Sequence, residues 1–227
     1  MSAINAIFNA NVYINGQKVG YWPYGYNSFH FDITKYLKPG EKNTLAVRLE
    51  NLPESSRWYP GAGLYRNVHL IITEDAYIPV WGTYITTPSV NEKFAKVNVR
   101  TKVVLPEGAD PAKYSVETSV WNPNKQKLTA VRTSLAQMKY NNNQAEQEFV
   151  IQAPSLWSPE MPALYSAETR LYEGDKLKDI YTTPFGIRSI EIIPDKGFFL
   201  NGKRTVFKGV CNHHDLGPLG AAVNDAA

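Results

Sequence analysis

Two histidines and an aspartate stand side by side near the end of the sequence, at His213, His214 and Asp215. The apolar residues that precede them, Val206, Phe207 and Val210, suit a buried strand. A (β/α)₈ barrel builds its catalytic face by delivering polar side chains at the carboxyl ends of buried parallel strands. The pattern therefore indicates the start of such a barrel.

The same three side chains have two other interpretations. Histidine and aspartate are metal ligands, but adjacent ligands without a third partner are a weak signal, so no metal site is predicted. Alternatively, the strand simply ends in solvent. The single cysteine, Cys211, excludes an internal disulfide and is predicted to be an inert, buried thiol because it lies within the apolar segment.

Alternating apolar and polar residues dominate the rest of the chain. Segments 44–50, 95–101 and 114–120 have the period of two that is typical of half-buried strands, and Val68–Ile72 is predicted to be a more fully buried strand. Turn sequences such as Asn15-Gly16 and Glu173-Gly174-Asp175 separate them. No helical period of ten residues or more is present, so the pattern predicts an all-β protein built from sandwiches.

Two boundaries divide the chain into three predicted domains, at residues 1–74, 75–186 and 187–227. Turn residues follow a strand near Glu74, and Pro184-Phe185-Gly186 closes another run of strands. The middle segment has the size of an immunoglobulin-like sandwich. A jelly roll needs about eight strands, and the first segment shows four or five, so it is expected to be only the later part of one.

Five motifs stand in order along the chain. They are Gly25-Tyr26-x-x-Phe29-x-Phe31-Asp32-Ile33-Thr34, Gly61-Ala62-Gly63-Leu64-Tyr65-Arg66-Asn67-Val68, Leu156-Trp157-Ser158-Pro159-Glu160-x-Pro162-x-Leu164-Tyr165, Phe185-Gly186-Ile187-Arg188, and Phe198-x-Leu200-Asn201-Gly202-Lys203 with Lys208-Gly209-Val210-x-x-His213-His214-Asp215. This ordered set resembles glycoside hydrolase family 2, the family of β-galactosidase and β-glucuronidase.

The resemblance implies a fragment with three parts. Residues 1–74 would be the C-terminal part of a jelly-roll (galactose-binding-like) sugar-binding domain. Residues 75–186 would be an immunoglobulin-like β-sandwich, and residues 187–227 the first strand of a truncated (β/α)₈, or TIM-barrel, catalytic domain.

The implied activity is the retaining hydrolysis of terminal β-glycosides in carbohydrate metabolism, through a covalent glycosyl-enzyme. Retention needs two carboxyl groups about 5–5.5 Å apart. In the family both are glutamates on later barrel strands, so no catalytic residue is assigned here and this chain alone is expected to be inactive. The acid/base glutamate of the family follows an asparagine, but Asn91-Glu92 lies in a polar segment between strands and is interpreted as a loop dipeptide.

The resemblance also assigns a substrate site and argues against a cofactor. His213 would donate hydrogen bonds to substrate hydroxyls, Asp215 would orient the strand end or bind a hydroxyl, and Asn212 would join them. In the sodium-dependent branch of the family an acidic residue stands where Arg57 stands here, and a cation cannot coordinate sodium.

Two aromatic segments carry alternative interpretations. The run Tyr21 to Tyr26 is either a sugar platform or, as in the family, a loop that packs near the active site. Trp157 lies between prolines that fix the backbone, which favours a packed structural role over an exposed, sugar-stacking one. Arg66 is expected to tie its loop through its planar guanidinium.

Composition excludes several other classes of function. The net charge is +3, and no basic run is longer than a pair, so nucleic acid is not an expected partner. No apolar stretch could span a bilayer, and no signal peptide is recognised at the first residues. The compartment, the oligomeric state and the identity of the sugar stay open. The alternative function is a non-catalytic, carbohydrate- or protein-binding β-sandwich protein.

Overall fold

A computed structural model describes residues 2–4, 6–7, 9–50, 63–137, 144–211, 216–220 and 226–227. Within these ranges the regular structure consists of β-strands and short 3-10 turns, so the predicted all-β class is confirmed. None of the helical turns described is long and apolar enough to cross a membrane. The 3-10 turns are Thr34–Tyr36, Pro111–Lys113, Leu135–Gln137 and Gly217–Leu219.

The chain forms two compact units, residues 1–72 with 209–227, and residues 73–208. The predicted three-domain boundaries stay a prediction. In the first unit the described strands make sheets of order β5-β1-β8, β4-β3-β6 and β2-β7. These strands are β1 (Ser2–Ile4), β2 (Ala6–Ile7), β3 (Ala10–Ile14), β4 (Gln17–Trp22), β5 (Phe29–Phe31), β6 (Leu45–Arg48), β7 (Gly63–Leu64) and β8 (His69–Leu70).

The first unit packs around the buried Val12 and Phe29. The predicted Asn15-Gly16 turn joins β3 to β4, with φ of 51° and 80°, as a two-residue hairpin requires. The prediction of a fully buried strand at Val68–Ile72 is wrong. Only His69 and Leu70 form a strand, at the edge of its described sheet, and Leu70 and Ile72 are 64% and 84% exposed.

The second unit contains a sandwich and a small three-stranded sheet. The sandwich consists of a three-stranded sheet of order β13-β10-β9 and a four-stranded sheet of order β12-β11-β14-β15, all antiparallel, which is the architecture of immunoglobulin-like domains. Its strands are β9 (Thr83–Val90), β10 (Phe94–Lys102), β11 (Tyr114–Trp121), β12 (Lys127–Ser134), β13 (Gln144–Gln152), β14 (Tyr165–Glu173) and β15 (Lys176–Phe185). The small sheet, of order β16-β17-β18, consists of β16 (Ile190–Ile193), β17 (Gly197–Leu200) and β18 (Lys203–Arg204), and β17 and β18 form a hairpin.

A polar layer divides the core of the sandwich. On one side lies an apolar cluster around Val97 and Phe149, and on the other a cluster around Val116 and Leu171. Between them are buried polar side chains from four strands: Thr101, Thr118, Gln147 and Thr169.

Hydrogen bonds satisfy part of this layer, whereas Thr101 Oγ1 and Gln147 Oε1 have no hydrogen-bond partner among the described residues. The hydroxyls of Thr118 and Thr169 lie 3.2 Å apart. The amide of Gln147, which is 3% exposed, reaches from β13 to the opposite sheet, where its Nε2 contacts the carbonyls of Val131 (2.8 Å) and Val116 (3.1 Å). Buried polar groups are tolerated when they are bonded in this way. The Gln147 amide also links the two sheets directionally.

The hairpin β17–β18 turns at the predicted Asn201-Gly202 pair. Both residues have positive φ, of 51° and 74°, which asparagine and glycine adopt readily. The Asn201 side chain also ties the turn to the preceding chain. Its Nδ2 donates to the Trp157 carbonyl (3.0 Å), and its Oδ1 accepts from the backbone N–H of Ser189 (3.0 Å).

The residues that follow β15 also hold Trp157. Its backbone N–H donates to the carbonyl of the fully buried Ile187 (2.8 Å). A Cβ at Gly186 would lie 3.0 Å from the Cβ and Cγ of Trp157, so a larger residue would require Trp157 to shift by a few tenths of an ångström. The Arg188 guanidinium lies over the indole, 5.0 Å from its centroid. We call Trp157, Gly186, Arg188 and Asn201 the junction; three of the five sequence motifs meet in it.

Replacement of Gln147 by leucine is expected to destabilise the sandwich by about 1–3 kcal/mol, because buried carbonyls of the opposite sheet lose their donor. Gln152→Leu, at the exposed end of the same strand, is the matched control and should change stability by less than about 0.5 kcal/mol. Urea denaturation measures both. Equal effects of the two substitutions would mean that the polar layer contributes nothing specific.

Asn201→Ala is expected to cost roughly 1–3 kcal/mol, because it removes two hydrogen bonds at a position with positive φ. Asn124→Ala, in an exposed turn of the same unit, serves as the control and should be nearly neutral. Hydrogen exchange should show the loss of protection first at residues 190–204. If those amides stay as protected as in the parent chain, the junction does not hold the hairpin.

Candidate functional site

The predicted substrate-binding residues, Asn212, His213 and Asp215, lie outside the described residues, and their roles stay a prediction. The structure does describe the path that leads towards them. After β18 the chain still runs beside β17, since the backbone N–H of Thr205 donates to the Phe198 carbonyl (2.9 Å). The junction therefore fixes the hairpin from which this segment departs.

The segment before the predicted site is exposed. Cys211 is exposed, so the prediction of a buried thiol is wrong. Val206, Phe207 and Val210 are 65%, 75% and 83% exposed, although their composition suits a buried strand. A buried strand needs neighbours on both edges, and after Thr205 no strand pairing is found for this segment within the described ranges.

A polar cavity of about 410 Å³ borders the junction. Its lining includes Ser158, Glu160, Asn201, Lys203 and Lys208. A hydrogen bond from its own backbone N–H, another from the Ser158 hydroxyl and the charge of Lys203 lower the pKa of the Glu160 carboxyl, so it is ionised at neutral pH. This arrangement can bind polar groups, but one ionised carboxylate does not supply the acid and nucleophile of a double displacement.

The Asn91-Glu92 dipeptide lies in the turn between β9 and β10. The Asn91 side chain is used by that turn, since its Oδ1 accepts from the backbone N–H groups of Lys93 and Phe94 at 2.9 Å each. Glu92 is exposed. The structure thus agrees with the interpretation as a loop dipeptide.

The aromatic motifs differ in their surroundings. Trp157 is partly buried, and the Arg188 guanidinium lies over its ring, which favours the structural role. Arg57 lies outside the described residues. Arg66 stacks on Tyr65, with its guanidinium 5.2 Å from the ring centroid, and the Tyr65 hydroxyl donates to the Gly25 carbonyl (2.9 Å) in the aromatic loop.

One charged cluster was not found from the sequence. The Lys178 side chain is only 7% exposed, and its ammonium lies 2.6 Å from Glu74, 3.1 Å from Asp75 and 3.8 Å from Glu173. Hydrogen bonds to Lys178 lower the pKa of the Glu74 and Asp75 carboxyls and raise the pKa of Lys178. Because Glu74 and Asp75 are about 100 residues from Lys178 in the sequence, no local pattern could predict these two contacts.

This cluster has a structural rather than a catalytic character. Its stabilisation is complete above about pH 4, the ordinary pKa of the carboxyls, and is lost as the pH falls through their lowered values. It is also complete below about pH 10.5 and is lost as the pH rises through the raised value of Lys178. It holds the first residues of the second unit against β15. Among the described residues no group of three histidine, cysteine, aspartate or glutamate side chains could hold a metal ion.

Comparison with known proteins places these features in a family. Residues 77–188, which span the sandwich, match the model of glycosyl hydrolases family 2. The β-galactosidase BoGH2A of Bacteroides ovatus is 42% identical over 220 residues, which cover 96% of this chain and 26% of that protein. A β-glucuronidase of Bacteroides fragilis is 34% identical over 233 residues, which cover 97% of this chain and 33% of that protein.

Solved structures agree with the sequence comparison. A glycosyl hydrolase family 2 member from Bacteroides cellulosilyticus superimposes with a TM-score of 0.88 and 35% identity, over 99% of this chain and 29% of that one. The β-glucuronidase of Bacteroides uniformis gives 0.82 and 29%, over 99% of this chain and 28% of that one. The similarity thus extends through both units, while the chain spans about a quarter to a third of the length of these relatives. The resemblance predicted from the five motifs is confirmed, and the chain belongs to glycosyl hydrolases family 2.

Proposed function

We propose that this chain is part of a retaining, β-galactosidase-like glycosidase that hydrolyses terminal β-glycosides, and that it contributes structure and substrate contacts rather than the catalytic carboxylates. The observation that carries the proposal is the junction, where residues of three family motifs meet beside one hairpin. The similarity to β-galactosidases and β-glucuronidases over nearly all of the chain supports it.

The chemistry of retention explains why we assign the two catalytic carboxyl groups to another part of the protein. One carboxyl must protonate the leaving group and a second, about 5–5.5 Å away, must attack the anomeric carbon. Glu160 borders a cation-lined cavity and Glu92 lies exposed in a turn. Neither has a partner carboxyl among the described contacts, so we assign the catalytic pair to later strands of a barrel that residues 187–227 begin.

Asn212, His213 and Asp215 are proposed to bind the substrate at the end of the first barrel strand. An imidazole N–H can donate to a sugar hydroxyl, while a carboxylate and an amide oxygen accept from one. Residues 75–186 would serve as the rigid base of this strand. In support, the hairpin belongs to the same compact unit as the sandwich and is bonded to it through Asn201.

The purified 227-residue chain is expected to hydrolyse no chromogenic β-galactoside or β-glucuronide above the uncatalysed rate, because it lacks the carboxyl pair. A Glu92→Gln variant is the control for traces of contaminating glycosidase, which would give equal rates with both proteins. Turnover by the chain that is lost in Glu92→Gln would contradict both the proposed division of labour and the loop interpretation of Asn91-Glu92.

In the full-length protein that contains this chain, His213→Ala is expected to lower kcat/KM for a chromogenic β-galactoside by roughly 10- to 100-fold, the effect of losing a hydrogen bond of about 1.5–3 kcal/mol. His69→Ala, at an exposed position of β8, is the matched control and should leave kcat/KM unchanged. Equal activity of the two variants would remove His213 from the site. Faster hydrolysis of the β-glucuronide than of the β-galactoside would change the assigned sugar.

A further inference from the structure

The loop between β4 and β5 presents aromatic rings to solvent. Tyr24 and Tyr26 are 51% and 43% exposed, and Tyr21, near the end of β4, is 47% exposed. Three tyrosines within six residues form a concentrated exposed aromatic surface, and neither the proposed catalysis nor the core of the first unit uses them. Such surfaces mark binding sites more often than isolated exposed apolar residues do.

A hydrogen bond holds the loop at Gly25, which stands between the exposed Tyr24 and Tyr26 in the sequence. Gly25 is buried, and its carbonyl accepts a hydrogen bond from the Tyr65 hydroxyl (2.9 Å). The start of the loop is held by Trp22, which stacks on the buried Phe29 with centroids 5.6 Å apart and an interplanar angle of 22°. The Pro23 carbonyl accepts from the backbone N–H of Asn9 (3.3 Å).

The exposed rings are themselves held in place. Tyr24 and Tyr26 meet edge to face, with centroids 5.6 Å apart. The Tyr21 hydroxyl donates to Asn9 Oδ1 (2.6 Å), and the Lys18 ammonium lies 5.9 Å from the Tyr21 centroid. A ligand that packs on rings already ordered in this way loses less conformational entropy on binding.

The composition of the loop indicates a neutral, hydroxylated ligand. Residues 23–28 carry no charge, and Asn27 and Ser28 are exposed beside the tyrosines. A tyrosine ring packs against the C–H face of a pyranose, while amide and hydroxyl groups bond its hydroxyls. A uronic acid would call for a cation; residues 23–28 supply none, and the Lys18 ammonium lies over the Tyr21 ring. A stable protein interface uses about 20–30 residues a side, far more than this loop presents.

We propose that Tyr24 and Tyr26, with Asn27, form an accessory platform for a neutral, β-linked oligosaccharide. The choice of sugar rests on the proposed function, but binding requires no catalytic group. The platform would retain a chain of substrate on the first unit, at residues distinct from those proposed to contact the reacting sugar.

The test is a calorimetric and NMR titration of the 227-residue chain with β-1,4-galactotetraose. Tyr24→Ala and Tyr26→Ala are each expected to weaken binding at least about fivefold, the loss typical of an aromatic anchor, and the double variant should show no binding. Tyr84→Ala is the matched control, since Tyr84 is 63% exposed on β9 in the other unit, and its affinity should equal that of the parent chain. Tyr24→Phe should retain most of the affinity if ring packing dominates.

The proposal is overturned if the parent chain does not bind the tetrasaccharide, or if the double variant binds it as well as the parent. Tighter binding of a glucuronic-acid oligosaccharide would contradict the neutral-ligand argument. Concentration-dependent self-association that the double variant abolishes, without sugar binding, would instead make the loop an interface between copies. None of these results bears on hydrolysis by the full-length protein, so the two proposals fail separately.

Discussion

The Asn201 side chain makes the contact on which the course of the chain beyond the sandwich depends. One amide group joins three pieces of backbone: the turn that contains it, the carbonyl of Trp157 and the N–H of Ser189. The turn needs positive φ and the bridge needs both a donor and an acceptor, and asparagine supplies all three. The direction in which the chain leaves β18 is therefore set by a residue some ten positions before the proposed substrate contacts.

That contact joins the hairpin to a sandwich with a buried core. Two apolar clusters supply most of the buried area, and the polar layer between them adds directional bonds from Gln147 to the opposite sheet. Apolar packing alone tolerates small shifts of one sheet over another, whereas hydrogen bonds fix a register. The fully buried Ile187 connects the core to Trp157, because its carbonyl accepts a hydrogen bond from the Trp157 backbone N–H.

Local patterns in the sequence predicted the parts of the fold that local physics decides. The alternation in 95–101 and 114–120 and the turn at Asn201-Gly202 correspond to strands and a hairpin of the structure, because side-chain period and positive φ are properties of neighbouring residues. The errors arose where burial depends on what covers a segment. Cys211 and Leu70 have the composition of buried residues and are exposed. Glu74 and Asp75 lie too far from Lys178 in the sequence for any local pattern to predict their contacts. The proposed substrate contacts came only from the family resemblance.

We propose that this chain supports a retaining glycosidase whose carboxyl pair lies elsewhere in the protein. The anomeric configuration of the first product tests it most directly. Proton NMR during hydrolysis of an aryl β-galactoside by the full-length protein should show the β-anomer first, with the α-anomer appearing only by mutarotation. Initial release of the α-anomer would indicate inversion, for which the carboxyls must stand about 6.5–9.5 Å apart, and would contradict the account.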